Sequence, residues 1–449
     1  MPSGSPDEEE AFLDECRHTS PSRTRNLRAL DTSWPIWSIQ IKRLLTFAIF
    51  YTIVLLQVRK AARRDPTSLF FDPDIGFERV YSAQREAEAH AFVDKWNSMH
   101  PYQASTANQS ICVGIPTAQR ANVSSFETTV GSILAGLSPE ERSELYVLPF
   151  IAHLDPQIHP AYQTSWLHGA TDDVLIYNLE RKERKYVAYL EKSEKDHHKK
   201  SLVDYKYILN ACHEVGTPFI LIVEDDMLAA AGWYAHLKAA LRTKVRRSIT
   251  DSSLYLRLFY TEKNFGWNKE NWLGYLIYST FFEALVAGIL LLLRRRRLLA
   301  PSFCLPFLTI YTPLLILLFF ATGRPTLFPL AHGLHPMDQS GCCSQALLYP
   351  RDQVPGLIRR FEQDLSGIKP VDALIETYAD ETGLKRWAVV PCPFQHVGSK
   401  SGQQIQAEKG KPSAERIWNF EFEKWWMDHR PSPSTIDNNR DESIEVLIA

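Results

Sequence analysis

The sequence predicts an α/β fold that is interrupted by a pair of membrane-spanning helices and preceded by another one. Short apolar runs alternate with helical patterns, and a few much longer apolar segments contain almost no charge. The charges balance, with 50 Lys and Arg against 52 Asp and Glu, which excludes a strongly basic nucleic-acid-binding protein. The 11 Trp, 18 Tyr and 23 Phe among 449 residues supply enough large side chains for a core.

The N-terminal segment predicts a disordered tail followed by a first membrane helix. Residues 1–42 are rich in Ser, Pro, Asp, Glu and Arg and lack helical periodicity. A spanning helix is expected over residues 43–59, where Leu44–Val58 is uncharged and has a basic pair on each side. Because a span usually needs about 20 apolar residues, a buried core helix is the alternative interpretation.

Two further apolar segments follow each other with only four arginines between them. Trp272–Leu293 contains one charge, Glu283, and Leu298–Ala321 contains none. At about 1.5 Å per residue, each is long enough to cross a hydrocarbon layer of about 30 Å. We therefore expect a transmembrane hairpin over residues 271–323 whose arginine tip, Arg294–Arg297, is cytoplasmic. Glu283 should make a polar contact between the hairpin and the first span or, alternatively, contact a lipid headgroup.

Two glycosylation sequons agree with the arginine tip on one topology. They are Asn108-Gln109-Ser110 and Asn122-Val123-Ser124, both between the first span and the hairpin. In this topology the N-terminal tail is cytosolic, and the regions on either side of the hairpin are lumenal. Disulfides are permitted there, although the sequence leaves the pairing open. The lumenal cysteines are Cys112, Cys212, Cys342, Cys343 and Cys392.

The lumenal region predicts a stem, an α/β domain in two pieces and a C-terminal tail. Residues 60–105 form the stem, which contains a polar helical stretch. The domain comprises residues 106–270 and 324–410, because the hairpin interrupts it, and residues 411–449 form the tail.

Short apolar runs within this domain predict buried strands at Ile111–Ile115, Leu145–Ile151 and Pro218–Val223. Helical patterns cover Ser125–Leu137 and Leu202–Val215. The alternation predicts a mostly parallel sheet with helices on both faces. Ligands of such sheets bind where strands end, so the residues that follow the first and third of these strands are of interest.

Three adjacent carboxylates, Glu224, Asp225 and Asp226, follow the third strand directly. Like charges at the end of a buried strand repel each other and are costly to desolvate without a cation. Hard oxygen ligands suit Mn²⁺ or Mg²⁺, which can bridge the phosphates of a nucleotide and stabilise a departing diphosphate. The alternative is a solvated surface turn; the position after five apolar residues favours the metal site.

The stretch F-I-L-I-V-E-D-D-M, which contains these carboxylates, is similar to the acidic motif of GT-A glycosyltransferases, particularly those resembling N-acetylglucosaminyltransferase IV. Other segments resemble further motifs of that group in the same order. They are Val113–Thr117 with Arg120, Lys200–Tyr205, Lys369–Asp372 and Pro393–Gly398. The resemblance implies a GT-A-like glycosyltransferase domain.

An inserted transmembrane hairpin and one N-terminal span are not features of that branching enzyme. Together with the motifs, they make residues 40–400 look like the post-GPI-attachment-to-proteins factor 4 family. The resemblance implies a multi-pass Golgi membrane protein with a lumenal catalytic domain. Such an enzyme moves N-acetylgalactosamine from a UDP-sugar to the mannose core of a GPI-anchored protein or glycolipid, with Mn²⁺ or Mg²⁺ as cofactor and with inversion.

The same resemblance implies roles for individual residues. Asp226, His396 and Asp225 would hold the metal. Asp372 would be the catalytic base, with Glu376, one helical turn further on, as the next choice. Donor-binding roles fall to Thr117, Arg120, Lys200, Asp204, Glu224 and Asp225.

Structural roles remain open for several of these residues. Asp372 precedes an apolar run and is well placed to cap a helix. Lys200 ends a polar run that is typical of a solvated surface, and Asp204 would orient either this lysine or the sugar. For the whole protein, the alternatives are a branching N-acetylglucosaminyltransferase acting on N-glycans and a non-catalytic membrane scaffold that retains the fold.

Overall fold

The computed structural model describes residues 33–96, 109–119, 125–242, 252–337, 344–364, 369–398 and 417–429. They divide into two compact units. One contains the residues up to Lys60 together with Lys269–Phe320, and the other contains Ala61–Asn268 together with the residues from Ala321 onward. The asparagines of both sequons, Arg120, Cys342 and Cys343 lie outside the described residues.

The helices and strands are numbered in chain order. The helices are α1 (Ser33–Ala61), α2 (Pro73–Gly76), α3 (Tyr81–Trp96), α4 (Phe126–Leu134), α5 (Pro139–Ser143), α6 (Ser165–Ala170), α7 (Arg181–Lys192), α8 (His197–Val215), α9 (Trp233–Arg242), α10 (Trp272–Arg295), α11 (Pro301–Pro306), α12 (Thr312–Thr322), α13 (Arg324–Leu327), α14 (Val354–Gln363), α15 (Val371–Thr382) and α16 (Phe420–Asp428). The strands are β1 (Ile111–Thr117), β2 (Leu145–Ile151), β3 (Leu175–Ile176), β4 (Phe219–Val223), β5 (Met227–Ala229), β6 (Ser253–Arg257), β7 (Gly333–Pro336), β8 (Ala346–Pro350), β9 (Lys385–Val390) and β10 (Phe394–His396).

The first unit consists of apolar helices. Three helical segments, Ile39–Arg64, Trp272–Arg295 and Pro301–Thr322, are long and apolar enough to cross a membrane, as the sequence predicts. The last of them contains a π-helical turn, Phe307–Tyr311, directly after Pro306. The ring of Phe47 in α1 stacks on Tyr311 of this segment at 4.0 Å between centroids.

The contact expected for Glu283 within this unit is not found. Its two carboxylate oxygens are buried and have no hydrogen-bond partner among the described residues. The expected polar contact between the hairpin and the first span was therefore wrong. The first and third segments meet instead through ring stacking and a hydrogen bond of 2.7 Å from Gln40 Nε2 to the Ser302 carbonyl, neither of which needs the carboxylate. A contact with a lipid headgroup stays a prediction.

The second unit is built on a mixed sheet with strand order β3-β2-β1-β4-β8-β6-β9-β7. Strands β1 to β4 are parallel neighbours, as predicted, and β6 and β9 are also parallel. Strand β8 runs antiparallel between β4 and β6, and β7 runs antiparallel to β9. Both β7 and β8 follow the apolar segment Pro301–Thr322, so their direction depends on where the chain returns to the sheet, which short apolar runs do not encode.

Helices cover both faces of this sheet, as the sequence predicts. One face buries Ile220, Tyr349 and Leu374 against α8, α14 and α15. The other face buries Val113 and Phe126 in a cluster with side chains of α6 and α9. A disulfide between Cys112 of β1 and Cys212 of α8 supplies a pairing that the sequence left open.

Helices from the stem and tail regions of the sequence pack on this sheet unit. In α3, Arg85 is buried and donates hydrogen bonds to the carbonyls of Ser132, Ala135 and Ala229 at 2.7–2.9 Å. In α16, Glu423 accepts hydrogen bonds from the backbone N–H groups of Val80 and Ser82, both at 3.0 Å. A buried charge that satisfies backbone groups fixes each helix in place. Polar helical patterns do not reveal which of their charges does so.

Candidate functional site

The acidic triplet lies at the carboxyl end of β4, in the middle of the sheet. The Glu224 N–H donates to the Gln345 carbonyl at 2.9 Å, and its Oε1 accepts from Ser344 Oγ at 2.6 Å. Asp225 and Asp226 are only 7% and 6% exposed. The three residues therefore leave the sheet in a tight backbone turn and are not a solvated loop.

A small antiparallel pair of strands brings His396 to Asp226. Strand β10 pairs with β5 so that His396 lies opposite Met227, and the Val397 N–H donates to the Asp226 carbonyl at 2.9 Å. His396 Nε2 consequently lies 3.2 Å from Asp226 Oδ2. Burial alone would lower the pKa of His396, but the adjacent Asp226 carboxylate outweighs it, and the pKa is raised.

Gly398 keeps open the space beside this pair. A Cβ atom at position 398 would lie 2.6 Å from Asp226 Oδ2. Only glycine permits this close approach of the chain to the carboxylate. The motif from Pro393 to Gly398 thus supplies both the imidazole and the space beside the carboxylate.

The pair fits a divalent ion. Two ligands at right angles on a metal with bonds of about 2.1 Å lie about 3 Å apart, close to the separation of Asp226 Oδ2 and His396 Nε2. A carboxylate oxygen and an imidazole nitrogen are both ligands that Mn²⁺ accepts. Among the described residues, no group of three or more His, Cys, Asp or Glu side chains is arranged to hold a metal. Donor phosphate oxygens and water would have to complete the coordination.

Asp225 contacts a second group of side chains at the same edge of the sheet. Thr117, the last residue of β1, donates from Oγ1 to Asp225 Oδ2 at 2.7 Å. The same hydroxyl lies 3.2 Å from Nε2 of His159, which is buried. Burial lowers the pKa of His159 to about 4, so its ring is neutral. Because the Thr117 hydroxyl gives its proton to Asp225, the tautomer with Nε2–H is the one that can donate to Thr117.

The sequence analysis missed His159. It lies in the segment that follows β2, whose carboxyl end is next to that of β1 in the parallel part of the sheet. The same rule that singled out the residues after β1 and β4 would have found it. The carboxylates after β4 follow their strand directly, whereas His159 comes eight positions after β2.

Lys200 and Asp204 form a close pair near the β2 edge. Lys200 Nζ lies 2.6 Å from Asp204 Oδ1 and 2.9 Å from the Ala152 carbonyl. The Tyr177 hydroxyl makes a short hydrogen bond to the same carboxylate. Burial raises the pKa of Asp204, although the lysine and the tyrosine both lower it. The Asp204 carboxylate therefore contacts the lysine directly, while its role towards a donor sugar stays a prediction.

The base candidates lie on α15 and differ in their surroundings. Asp372 is in the first turn of the helix, where Pro370 is the capping residue, and its Oδ1 accepts from the Ala373 N–H at 2.8 Å. It is therefore not the capping residue itself. In the part of the chain that the structure describes, no hydrogen bond or ion pair joins Asp372 to Asp226 or His396.

Glu376 is part of a buried ionic network. Its carboxylate lies 3.0 Å from Arg257 Nη2 and 2.7 Å from Arg386 Nε, and it accepts a short hydrogen bond from the Tyr255 hydroxyl. Burial raises the pKa of Glu376, and the tyrosine and the two arginines, which lower it, do not offset this effect. Two guanidinium groups already neutralise this carboxylate, which leaves it poorly placed to accept a proton from an acceptor hydroxyl.

Comparisons with known proteins identify a family and show distant similarity to solved structures. The model of the family described as GPI-N-acetylgalactosamine transferase PGAP4 matches residues 134–395, which is more than half of the chain. No curated protein matches the chain. Among solved structures, the chain is similar to the mannosyltransferase PcManGT from Pyrobaculum calidifontis, in complex with GDP-Man and Mn²⁺, at 13% identity and a TM-score of 0.22. That match covers 41% of this chain and 47% of the other, and at this score it does not bear on fold or function.

Proposed function

Because the chain belongs to the GPI-N-acetylgalactosamine transferase PGAP4 family and is therefore a glycosyltransferase, we propose that it transfers N-acetylgalactosamine from a UDP-sugar to the mannose core of GPI anchors. The reaction depends on Mn²⁺ or Mg²⁺ and inverts the configuration of the sugar. One observation carries the proposal, namely the approach of His396 to Asp226 where β4 leaves the sheet. The domain that supports this site is of the GT-A type.

The donor lies along the carboxyl edge of β1 and β4. Asp226 and His396 would hold the divalent ion, and Asp225, which accepts a hydrogen bond from Thr117, would share it or bind the ribose. When bound, the ion stabilises the negative charge of the departing diphosphate. Glu224 binds the donor next to them, while Lys200, held by Asp204, contributes positive charge. Arg120 is proposed on the resemblance alone.

Asp372 takes the proton from the mannose hydroxyl that attacks the sugar. Its carboxylate is only partly buried and belongs to no ion pair among the described residues, whereas Glu376 is held between Arg257 and Arg386. A general base needs a free oxygen within reach of the acceptor hydroxyl, which favours Asp372. Glu376 then supports α15 and the sheet beside it.

The membrane segments keep the catalytic unit at the lumenal face of a Golgi membrane. The three apolar helices support a multi-pass arrangement, and the Cys112–Cys212 disulfide supports an oxidising compartment. If the hairpin tethers the enzyme, replacing it with a soluble linker abolishes transfer to membrane-held acceptors and spares donor hydrolysis. Equal activity on membrane-held and soluble acceptors would contradict the tether.

The deciding experiment uses the purified full-length chain in detergent. It is incubated with a panel of UDP-sugars, GPI and N-glycan acceptors, and either Mn²⁺ or a chelator. We expect transfer of N-acetylgalactosamine to the GPI acceptor, lost with the chelator and restored by Mn²⁺. Transfer of N-acetylglucosamine to the N-glycan acceptor would identify the branching enzyme instead.

The base assignment is tested with Asp372→Asn and Glu376→Gln. The first variant should lose about 100-fold in kcat, because proton transfer by a positioned group contributes on this scale. Glu381→Gln, on the same helix and exposed to solvent, is the matched control. Full activity of the Asp372 variant would exclude it as the base.

A further inference from the structure

Two stretches of chain at the ends of membrane spans lie beside one cavity. Ala61–Pro66 lies at the end of the first span, and Arg324–Pro329 begins two residues after the last span ends. Asp65 joins the two stretches, because its Oδ2 accepts hydrogen bonds from N and Oγ1 of Thr326 at 3.0 and 2.8 Å. A spanning helix ends in the headgroup region, so this cavity is at the membrane interface.

The cavity has a volume of about 360 Å³, which is in the range of small-molecule binding sites. Its wall combines aromatic rings with positive charge. The rings include Tyr260 and Phe420, and the cations are Arg64, Arg324 and Lys424. A wall of this kind suits an amphipathic ligand that carries an anion.

The guanidinium groups of Arg64 and Arg324 can still donate hydrogen bonds to a ligand. Arg64 Nη2 lies 3.2 Å from Glu78 Oε2, but its Nη1 is buried and has no hydrogen-bond partner among the described residues. Arg324 is exposed, and none of the described residues forms an ion pair with it. Guanidinium groups bind phosphate oxygens through paired hydrogen bonds.

Most carboxylate oxygens in the cavity wall already accept hydrogen bonds from neighbouring residues. Both oxygens of Asp65 accept hydrogen bonds, from Thr67 and from Thr326. The oxygens of Glu262 accept from the Phe420 and Glu421 N–H groups at 2.9 and 2.8 Å, and burial raises the pKa of Glu262 to about 8. Burial also raises the pKa of Glu421, the third carboxylate of the wall, although His332 and Lys424 lower it. Arg64 and Arg324 are therefore the cations of the wall that can bind an anion.

The cavity wall is connected to the candidate active site. Asn419, next to Phe420, exchanges hydrogen bonds with Gln395: its N–H donates to Oε1 at 3.0 Å, and its carbonyl accepts from Nε2 at 2.8 Å. Gln395 directly precedes His396 in β10. Phe420 in the cavity wall is therefore linked through Asn419 and Gln395 to the proposed metal ligand, although the two lie on different elements.

We propose that this cavity is a subsite for the phosphodiester headgroup of the membrane-held acceptor, the phosphatidylinositol end of a GPI anchor. Arg64 and Arg324 bind the phosphodiester, and the aromatic rings pack against the glycerol and inositol. The inference rests on the proposed function, since it names how that function's acceptor is held. It places recognition of the lipid end of the acceptor at the membrane interface, apart from the donor residues at β1 and β4.

The first test measures transfer to a membrane-held GPI acceptor relative to acceptor-independent hydrolysis of the UDP-sugar. The double variant Arg64→Gln and Arg324→Gln should lower this ratio about tenfold, because each charge-assisted hydrogen bond to phosphate is strong. Arg324→Lys keeps the charge but not the paired hydrogen bonds, so it should lower the ratio less than the double variant does. Arg184→Gln, an exposed arginine on α7, is the matched control and should leave the ratio unchanged. An unchanged ratio in the double variant would overturn the proposal.

The second test measures binding and does not depend on transfer. The full-length chain in detergent is titrated with mixed micelles of phosphatidylinositol, with micelles of phosphatidylcholine, and with inorganic phosphate. We expect preferential binding of phosphatidylinositol that the double variant loses. Equal binding of both lipids, competition by inorganic phosphate at similar concentration, or unchanged binding in the double variant would each contradict the subsite. If the wild type shows neither transfer nor hydrolysis, the proposed function fails, and this titration still decides the role of the cavity.

Discussion

The end of β4 and the helix α15 both carry carboxylates for which the sequence predicts a role in metal binding or catalysis. The two carboxylates have different neighbours in the fold. Asp226 lies 3.2 Å from an imidazole that can share a cation with it. Glu376 lies between the guanidinium groups of Arg257 and Arg386, which neutralise it. A carboxylate at a strand end can remain available for a ligand, whereas one that faces the sheet from a helix is used to balance buried charge.

Replacing Asp226 is the strongest way to test this comparison. Asp226→Asn keeps the shape of the side chain but removes the negative charge that the cation requires. We expect transfer to fall about 1000-fold, in line with the loss of a main electrostatic group in an active site, and added Mn²⁺ should not restore it. Asp173→Asn, in an exposed turn, is the control. Activity near that of the wild type would remove the acidic triplet from the site.

Replacing Glu376 tests the other side of the comparison. Glu376→Ala leaves two buried arginines without their shared partner, so the free energy of unfolding should fall by about 3 kcal/mol. Glu381→Ala, on the same helix as Glu376, removes an exposed ion pair with Arg360 of α14 and should cost less than about 1 kcal/mol. Urea titration of the full chain in detergent, followed by tryptophan fluorescence, measures both. Equal losses in the two variants would mean that the network has no special structural role.

Replacing Gly398 tests whether transfer requires the space beside the Asp226 carboxylate. In Gly398→Ala the new methyl group would lie 2.6 Å from Asp226 Oδ2, so the carboxylate or the chain must shift. We expect transfer to fall about 30-fold, because small displacements of positioned groups are costly in catalysis. Gly274→Ala, where a Cβ would meet no atom within 4 Å, is the matched control. Unchanged kinetics in the first variant would show that the site tolerates the shift.

Replacing His159 should have the smallest effect of these changes, and it tests how Asp225 is positioned at the end of β4. It acts on Asp225 through Thr117, so His159→Ala should raise the KM for the donor about tenfold and leave kcat nearly unchanged. His159→Gln, whose amide can still donate to Thr117, should restore most of the affinity. His168→Ala, an exposed histidine, serves as the control. A fall in kcat without a change in KM would contradict a positioning role.

Much of the fold could be predicted from the sequence because local patterns encode it. The apolar runs at β1, β2 and β4 have the length and turn signals of buried strands, and the spanning segments are recognised by length and lack of charge. The antiparallel direction of β8 was not predictable, since it depends on where the chain returns to the sheet after the apolar helices. Likewise, nothing in the polar pattern of α3 identifies Arg85 as the charge that becomes buried.

For the candidate site, the sequence by itself determined that three carboxylates directly follow a buried strand. The reason is that the order of residues along the chain and the end of an apolar run can both be read locally. Only the tertiary structure decided their partners. The pairing of β5 with β10 brings together residues 170 positions apart, Asp226 and His396, and the neighbouring strands β1 and β2 bring His159 to Thr117. The physical reason is that side-chain contacts across a sheet depend on strand order and register, which the packing of the whole chain fixes.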